Sequence, residues 1–152
     1  MVEEATVICD LSGSMMECGK RFIMRTALRT ISQYYQMLNP GADLRLVTWR
    51  DIIEDIEWNP ESGAPETLME CSGRSCVEAL RSHFGERPSS PILILTDGYW
   101  DDQEADFYNW ADAIDENCLR VVLVGADSNP NLKGNYVFTS DEILSALEKF
   151  GD

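Results

Sequence analysis

Short apolar runs that stop at an Asp or a Gly recur along this chain, and a stretch with helical spacing follows each. Residues 6–9 end at Asp10, residues 92–95 lead into Thr96-Asp97-Gly98, and residues 119–124 end at Gly125. Runs this short and this apolar read as strands buried on both faces. After the first, residues 20–38 space Ile23, Ala27, Ile31, Tyr34 and Leu38 as a helix packed on a sheet, and Asn39-Pro40-Gly41 stops it. Arg21, Arg25 and Arg29 fall on the other side and read as a solvated face rather than a docking site.

Residues 44–49 read as a second strand. Arg50-Asp51 makes a tight connection into a third, residues 52–58, where Asp55 and Glu57 alternate with Ile56 and Trp58 in the pattern of a hairpin edge strand. Residues 59–72 are rich in Pro, Gly and Ser and read as loop. Helices are expected at 76–84 and at 104–116, the latter with Phe107, Trp110, Ala111 and Ile114 inward; a short strand at 136–138 precedes a closing helix capped at Ser140. Strands alternating with helices predict one α/β domain over 1–152: a doubly wound, mostly parallel six-stranded sheet with one antiparallel edge strand and helices on both faces. Ligands of such sheets bind beyond the carboxyl ends of the strands, where strand order reverses. The places to look therefore follow Cys9, Leu95 and Val124.

Charge narrows the partner. The 152 residues carry 27 acidic against 12 basic side chains, a net −15. That surface repels phosphate backbones, which disfavours nucleic acid and anionic membranes and suits cations or a basic protein. No stretch approaches the roughly 20 apolar residues of a membrane helix. The acidic start, Met1-Val2-Glu3-Glu4, runs straight into a strand and reads as lacking a signal peptide. The five cysteines are odd in number and form no CxxC pair, which argues against a zinc site or disulfide framework and fits a reducing cytoplasm.

Three segments at the expected strand tips carry oxygen: Asp10-Leu11-Ser12-Gly13-Ser14, Ser72-Gly73-Arg74-Ser75 and Asp97. Asp10 and Asp97 offer carboxylates; Ser12, Ser14 and Ser75 offer hydroxyls, with Ser72 as the alternative to Ser75. Two carboxylates balance a divalent charge, and hydroxyls complete an oxygen shell without adding more. With no His or thiolate placed to compete, the set favours Mg²⁺, or Mn²⁺ or Ca²⁺, over Zn²⁺. Taken singly, Asp10 and Ser12 could cap a helix and Asp97-Gly98 could be a turn; the joint placement after apolar strands favours a site.

The stretch Val7-Ile8-Cys9-Asp10-Leu11-Ser12-Gly13-Ser14-Met15 resembles the opening of a von Willebrand factor type A domain, with its DxSxS motif. Ile94-Leu95-Thr96-Asp97-Gly98 resembles that family's second aspartate segment, and Ser72-Gly73-Arg74-Ser75 its middle loop, where a threonine is usual. The resemblance spans nearly the whole chain in element order. It implies a Rossmann-like fold and a metal-ion-dependent adhesion site in which Asp10, Ser12, Ser14, Ser75 and Asp97 hold the cation directly or through water, leaving a position for a partner's acidic side chain. Family association implies a cytoplasmic adaptor working beside an AAA+ ATPase, kinase or phosphatase.

Around such a site Tyr99, Trp100, Arg74 and Ser72 form the expected rim, with helix packing as the alternative duty of the two rings. Asp10-Leu11-Ser12 is also similar to the start of a haloacid-dehalogenase-type phosphohydrolase, but Ser12 stands where those have a second acid, so the general acid is absent. The single histidine, His83, is expected on a helix surface away from the strand tips. A binding module rather than an enzyme is the expectation, with a metal-free scaffold of the same fold as the remaining alternative.

Overall fold

The computed structural model describes residues 3–152; Met1 and Val2, part of the acidic start, lie outside the described residues. Strands β1 (Glu4–Asp10), β2 (Asp43–Trp49), β3 (Ile53–Ile56), β4 (Ile92–Thr96), β5 (Leu119–Leu123) and β6 (Val137–Thr139) form one sheet in the order β3-β2-β1-β4-β5-β6. β2 and β3 pair antiparallel; the other neighbours are parallel. Helices α1 (Lys20–Leu38), α2 (Val77–Phe84), α3 (Glu104–Ala111) and α4 (Ile143–Leu147) cover the sheet.

Alternation along the central strands explains the two layers. Ala5, Val7 and Cys9 of β1 and Leu93 and Leu95 of β4 pack into the same core as α1 and α4, while Ile8, Ile92 and Ile94 join α2 and α3 on the opposite face. Side chains alternate across a strand, so a strand buried on both faces is mostly apolar. This is why Val7–Cys9 and Ile92–Leu95 carry no charged residue before the rim of the sheet.

Several elements depart from the sequence expectation. The inward face of α1 is centred on Met24, Ala27, Leu28, Ile31 and Tyr35, with Ile23 and Tyr34 at its border and Leu38 exposed. Arg21 and Arg25 are half-buried, and Arg21 Nη1 donates to the Met69 carbonyl at 3.0 Å, so these two pin the 59–72 loop instead of lying free in solvent. β3 stops at Ile56, and Trp58 turns back with Nε1 donating to the Gly63 carbonyl at 2.9 Å. α3 ends at Ala111 because Ala113 and Ile114 bond back three residues, to Trp110 and Ala111, which tightens and closes the last turn. The closing helical segment is capped by Thr139 with Glu142 in a capping box, one residue before the expected Ser140. No helix among the described residues is long and apolar enough to cross a membrane.

Candidate functional site

Strand order reverses at β1, whose neighbours are β2 on one side and β4 on the other. Cys9 pairs with Leu95, so Asp10 at the tip of β1 and Asp97 just beyond β4 stand side by side. The 72–75 loop is drawn to the same spot by backbone bonds: Gly13 N donates to Gly73 O at 2.9 Å, and Ser72 N to Leu11 O at 2.8 Å. Gly98 keeps this corner closed. Its φ is +78°, and a Cβ there would stand 2.9 Å from Leu123 Cδ2.

Asp10 is fully buried, and each of its oxygens is taken by a hydroxyl. Ser75 Oγ donates to Oδ1 at 2.6 Å and Thr96 Oγ1 donates to Oδ2 at 2.6 Å, while Ser12 N donates to Oδ1 at 2.9 Å. Burial pushes the Asp10 carboxyl above its ordinary value, and the bonds from Ser75, Thr96 and Ser12 pull against that shift. Thr96 is the hub behind the aspartate. Its Oγ1 also accepts from Gly98 N at 3.0 Å and from Trp100 Nε1 at 3.2 Å.

Asp97 is equally buried but bound differently. Its Oδ1 accepts from Tyr99 N at 3.1 Å, and its Oδ2 accepts from the ammonium of Lys20 at 3.0 Å. Lys20, only 1% exposed, reaches in from the first turn of α1 and also pairs with Asp127 Oδ2 at 3.0 Å and with the Ser14 carbonyl at 3.4 Å. Burial opposes its charge, but the bonds to Asp97 and Asp127 outweigh that and hold the ammonium above its usual value; the Lys20 bond in turn holds the Asp127 carboxyl below its own. Gly125 makes room for the stem, since a Cβ there would meet Lys20 Cγ at 2.9 Å. The Tyr99 ring lies over the ammonium, 5.7 Å from centroid to Nζ.

In front of the two aspartates opens a cleft of about 200 Å³, lined by Ser12, Ser14, Gly73, Arg74, Ser75, Tyr99, Trp100 and Asp101. Ser12 Oγ and Ser14 Oγ stand 3.4 Å apart there. Ser75 belongs to the cluster through its bond to Asp10, whereas Ser72 is exposed and touches it only through its backbone. Arg74 and Tyr99 are exposed on the rim, and Arg74 pairs with Asp101 at 3.0 Å and with Asp102 at 3.5 Å. Trp100 departs from its expected rim position. It is 1% exposed and packs on Trp49 and Phe107 with centroids 5.6 Å and 4.4 Å away, so it serves the core and Thr96. His83 lies exposed on α2 against Phe84.

Three members of the cluster escape a motif reading: Lys20, Thr96 and Asp127. Thr96 was visible only as part of a strand ending. Lys20 looked like an ordinary helix start, and nothing in its local sequence separates a buried lysine from a solvated one. Among the described residues no three His, Cys, Asp or Glu side chains stand together as metal ligands, so a cation here would rest on hydroxyl oxygens.

No protein-family model matches the chain, and no curated protein matches it in sequence. Solved structures do match in fold. An aerotolerance-related membrane protein from Bacteroides fragilis NCTC 9343, solved with multiple mutations to serines, aligns at TM-score 0.61 and 11% identity over 97% of this chain and 98% of that one. The VWA domain of SpRpn10 aligns at 0.59 and 11% identity over 91% of this chain and 87% of that one. A von Willebrand factor type A protein from Catenulispora acidiphila aligns at 0.55 and 16% identity over 97% of this chain, which spans 41% of that longer chain. The mixed six-stranded sheet with helices on both faces is the fold of von Willebrand factor type A domains.

Proposed function

We propose that this protein is an interaction module that captures an acidic side chain of a partner protein through a divalent cation held in the cleft beyond β1 and β4. The observation that carries the reading is the meeting of Ser12, Ser14 and Ser75 at one cleft, with Asp10 and Asp97 buried directly behind. The donors suit a hard cation. Neighbouring oxygens at right angles around Mg²⁺ stand about 2.8–3.0 Å apart and around Ca²⁺ about 3.3–3.7 Å; the two serine oxygens, 3.4 Å apart, fall in the second range and would have to close slightly on Mg²⁺. Asp10 and Asp97 spend their oxygens on protein donors, so their part is to supply charge through the hydroxyls and through water. Asp97 and Asp127 share the single ammonium of Lys20, so the acid groups behind the cleft outnumber the cation paired with them.

Arg74 on the rim answers the difficulty of drawing an acid to an acidic surface. Its pairing with Asp101 and Asp102 offsets one of their two charges beside the cleft and keeps an exposed guanidinium near the incoming carboxylate. Tyr99, 44% exposed, offers a ring to the same partner. The cluster's described residues include no histidine, and the hydroxyls of Ser75 and Thr96 are both spent on a fully buried Asp10, an arrangement that suits binding better than catalysis. An AAA+ ATPase, kinase or phosphatase of the same cytoplasmic system is the partner class proposed, and five free cysteines agree with a reducing compartment. Thermal unfolding with Mg²⁺ or Mn²⁺ tests the metal: at a hundred times Kd the folded state gains about 2.7 kcal/mol, and the gain should vanish in a Ser12→Ala/Ser14→Ala variant. A melting curve indifferent to both ions, or partner capture unchanged by EDTA, would refute the proposal.

A further inference from the structure

We infer that Lys20 is a built-in counter-cation of this site, one that holds Asp97 when no metal is present and competes with a divalent ion for its charge. The inference deepens the metal-dependent reading and rests on it. A buried lysine is rare without a specific partner, and this one has three. Its ammonium donates to Asp97 Oδ2, Asp127 Oδ2 and the Ser14 carbonyl, which uses all three protons.

The surroundings are shaped for it. Gly125 leaves the gap its methylenes fill, and Tyr99 screens the head from above. The Ser14 carbonyl ties the ammonium to the residue whose hydroxyl lines the cleft. The lysine therefore stands between the second aspartate and the cleft's own donors, where positive charge is either its own or a metal's.

The two anchors differ in burial, and that gives the competition a direction. Asp97 is fully buried, while the Asp127 side chain is 40% exposed at the edge. A cation entering the cleft needs the field of Asp97, and Lys20 can yield it while keeping Asp127 and its own charge paired. Asp127 is thus the alternative seat that makes metal entry possible. Without it the ammonium would commit wholly to Asp97. Without the ammonium, Asp97 would lack its counter-charge and draw the metal more strongly. Close charge pairs of this kind couple by at least a factor on the order of ten in affinity.

Titration calorimetry with Mn²⁺ alone tests this on the wild-type chain, on Lys20→Met and on Asp127→Asn, in 0.15 M and 0.5 M NaCl with far-UV circular dichroism as the check on folding. Lys20→Met should bind Mn²⁺ about tenfold tighter, and Asp127→Asn several-fold weaker. Both changes should persist at the higher salt, because buried pairs are screened far less than surface charges. A folded Lys20→Met with unchanged or weaker affinity overturns the role of Lys20 while leaving the metal reading intact. Should Lys20→Met fail to fold, Asp127→Asn decides: weaker binding supports the inference, and equal or tighter binding overturns it. A silent wild type beside a binding Lys20→Met upholds the lysine's role and removes metal dependence from the natural chain. Silence in both removes the two together.

Discussion

Replacing Thr96 with valine keeps the shape of the side chain and deletes only its hydroxyl, so the change isolates the hub behind Asp10. Three bonds meet at that oxygen: one donated to Asp10 Oδ2 at 2.6 Å, one accepted from Gly98 N at 3.0 Å and one accepted from Trp100 Nε1 at 3.2 Å. A hydrogen bond to a charged group is worth about 1.5–3 kcal/mol, and each buried donor left unsatisfied costs about 1–3 kcal/mol. Thr96 is fully buried, so water cannot replace the lost partner. The two N–H groups already share one acceptor, which places each near the lower end, and the total comes to about 4 kcal/mol. Against the roughly 5–15 kcal/mol of a typical domain that is a large fraction. Thr96→Ser is the matched control. It keeps the hydroxyl and loses a methyl, at about 1 kcal/mol. Urea unfolding of the three proteins should show the valine midpoint far below the serine one at an unchanged slope. If valine proves no worse than serine, or costs under about 1 kcal/mol, the hydroxyl is not the organising atom of the site.

Gly98→Ala should destabilise by about 1–3 kcal/mol, since the φ of +78° and the 2.9 Å approach to Leu123 Cδ2 both exclude a methyl; a thermal melt within 1 °C of wild type would contradict this. Arg120 donates to the carbonyls of Ala146, Glu116 and Leu119 at 2.8–2.9 Å and so ties α4 to β5. Arg120→Met should therefore cost about 3 kcal/mol or more in urea unfolding, and near-neutral behaviour would show that these carbonyls find other donors. Burial pushes the phenols of Tyr35 and Tyr136 up to about 12. The unfolded chain releases these protons from about pH 10, so stability should fall as pH rises from 10 towards 12. Ultraviolet titration should show two late phenols, and uniform titration near pH 10 would refute it.

How much was legible in the sequence depends on whether a residue's role is local. The mostly apolar runs of β1 and β4 announced a sheet buried on both faces, and Asp10 of the DxSxS stretch and Asp97 marked the strand tips because a carboxylate is costly inside such a run. Of the expected α1 stripe Ala27 and Ile31 are buried, but the face is rotated so that Met24, Leu28 and Tyr35 turn inward while Ile23 and Tyr34 fall at its border and Leu38 is exposed; both sets suit a helix, and only the partner surface decides between them. Trp100, three residues past Asp97, suited either rim or packing duty, and its contacts with Trp49 and Phe107 place it in the core. Lys20 was unreadable for a deeper reason. Its burial depends on Asp97, Gly125 and Asp127, all more than seventy residues away in the chain.

The most direct test of the account is where a cation sits on this acidic surface. Mn²⁺ broadens amide resonances near it, so a titration followed by ¹H–¹⁵N correlation spectra can tell one site from a diffuse cloud of counter-ions. The earliest losses should fall at residues 11–14, 73–75 and 97–99, all of them abolished in Ser12→Ala/Ser14→Ala. Broadening spread over the acidic surface and unchanged in that variant would contradict it.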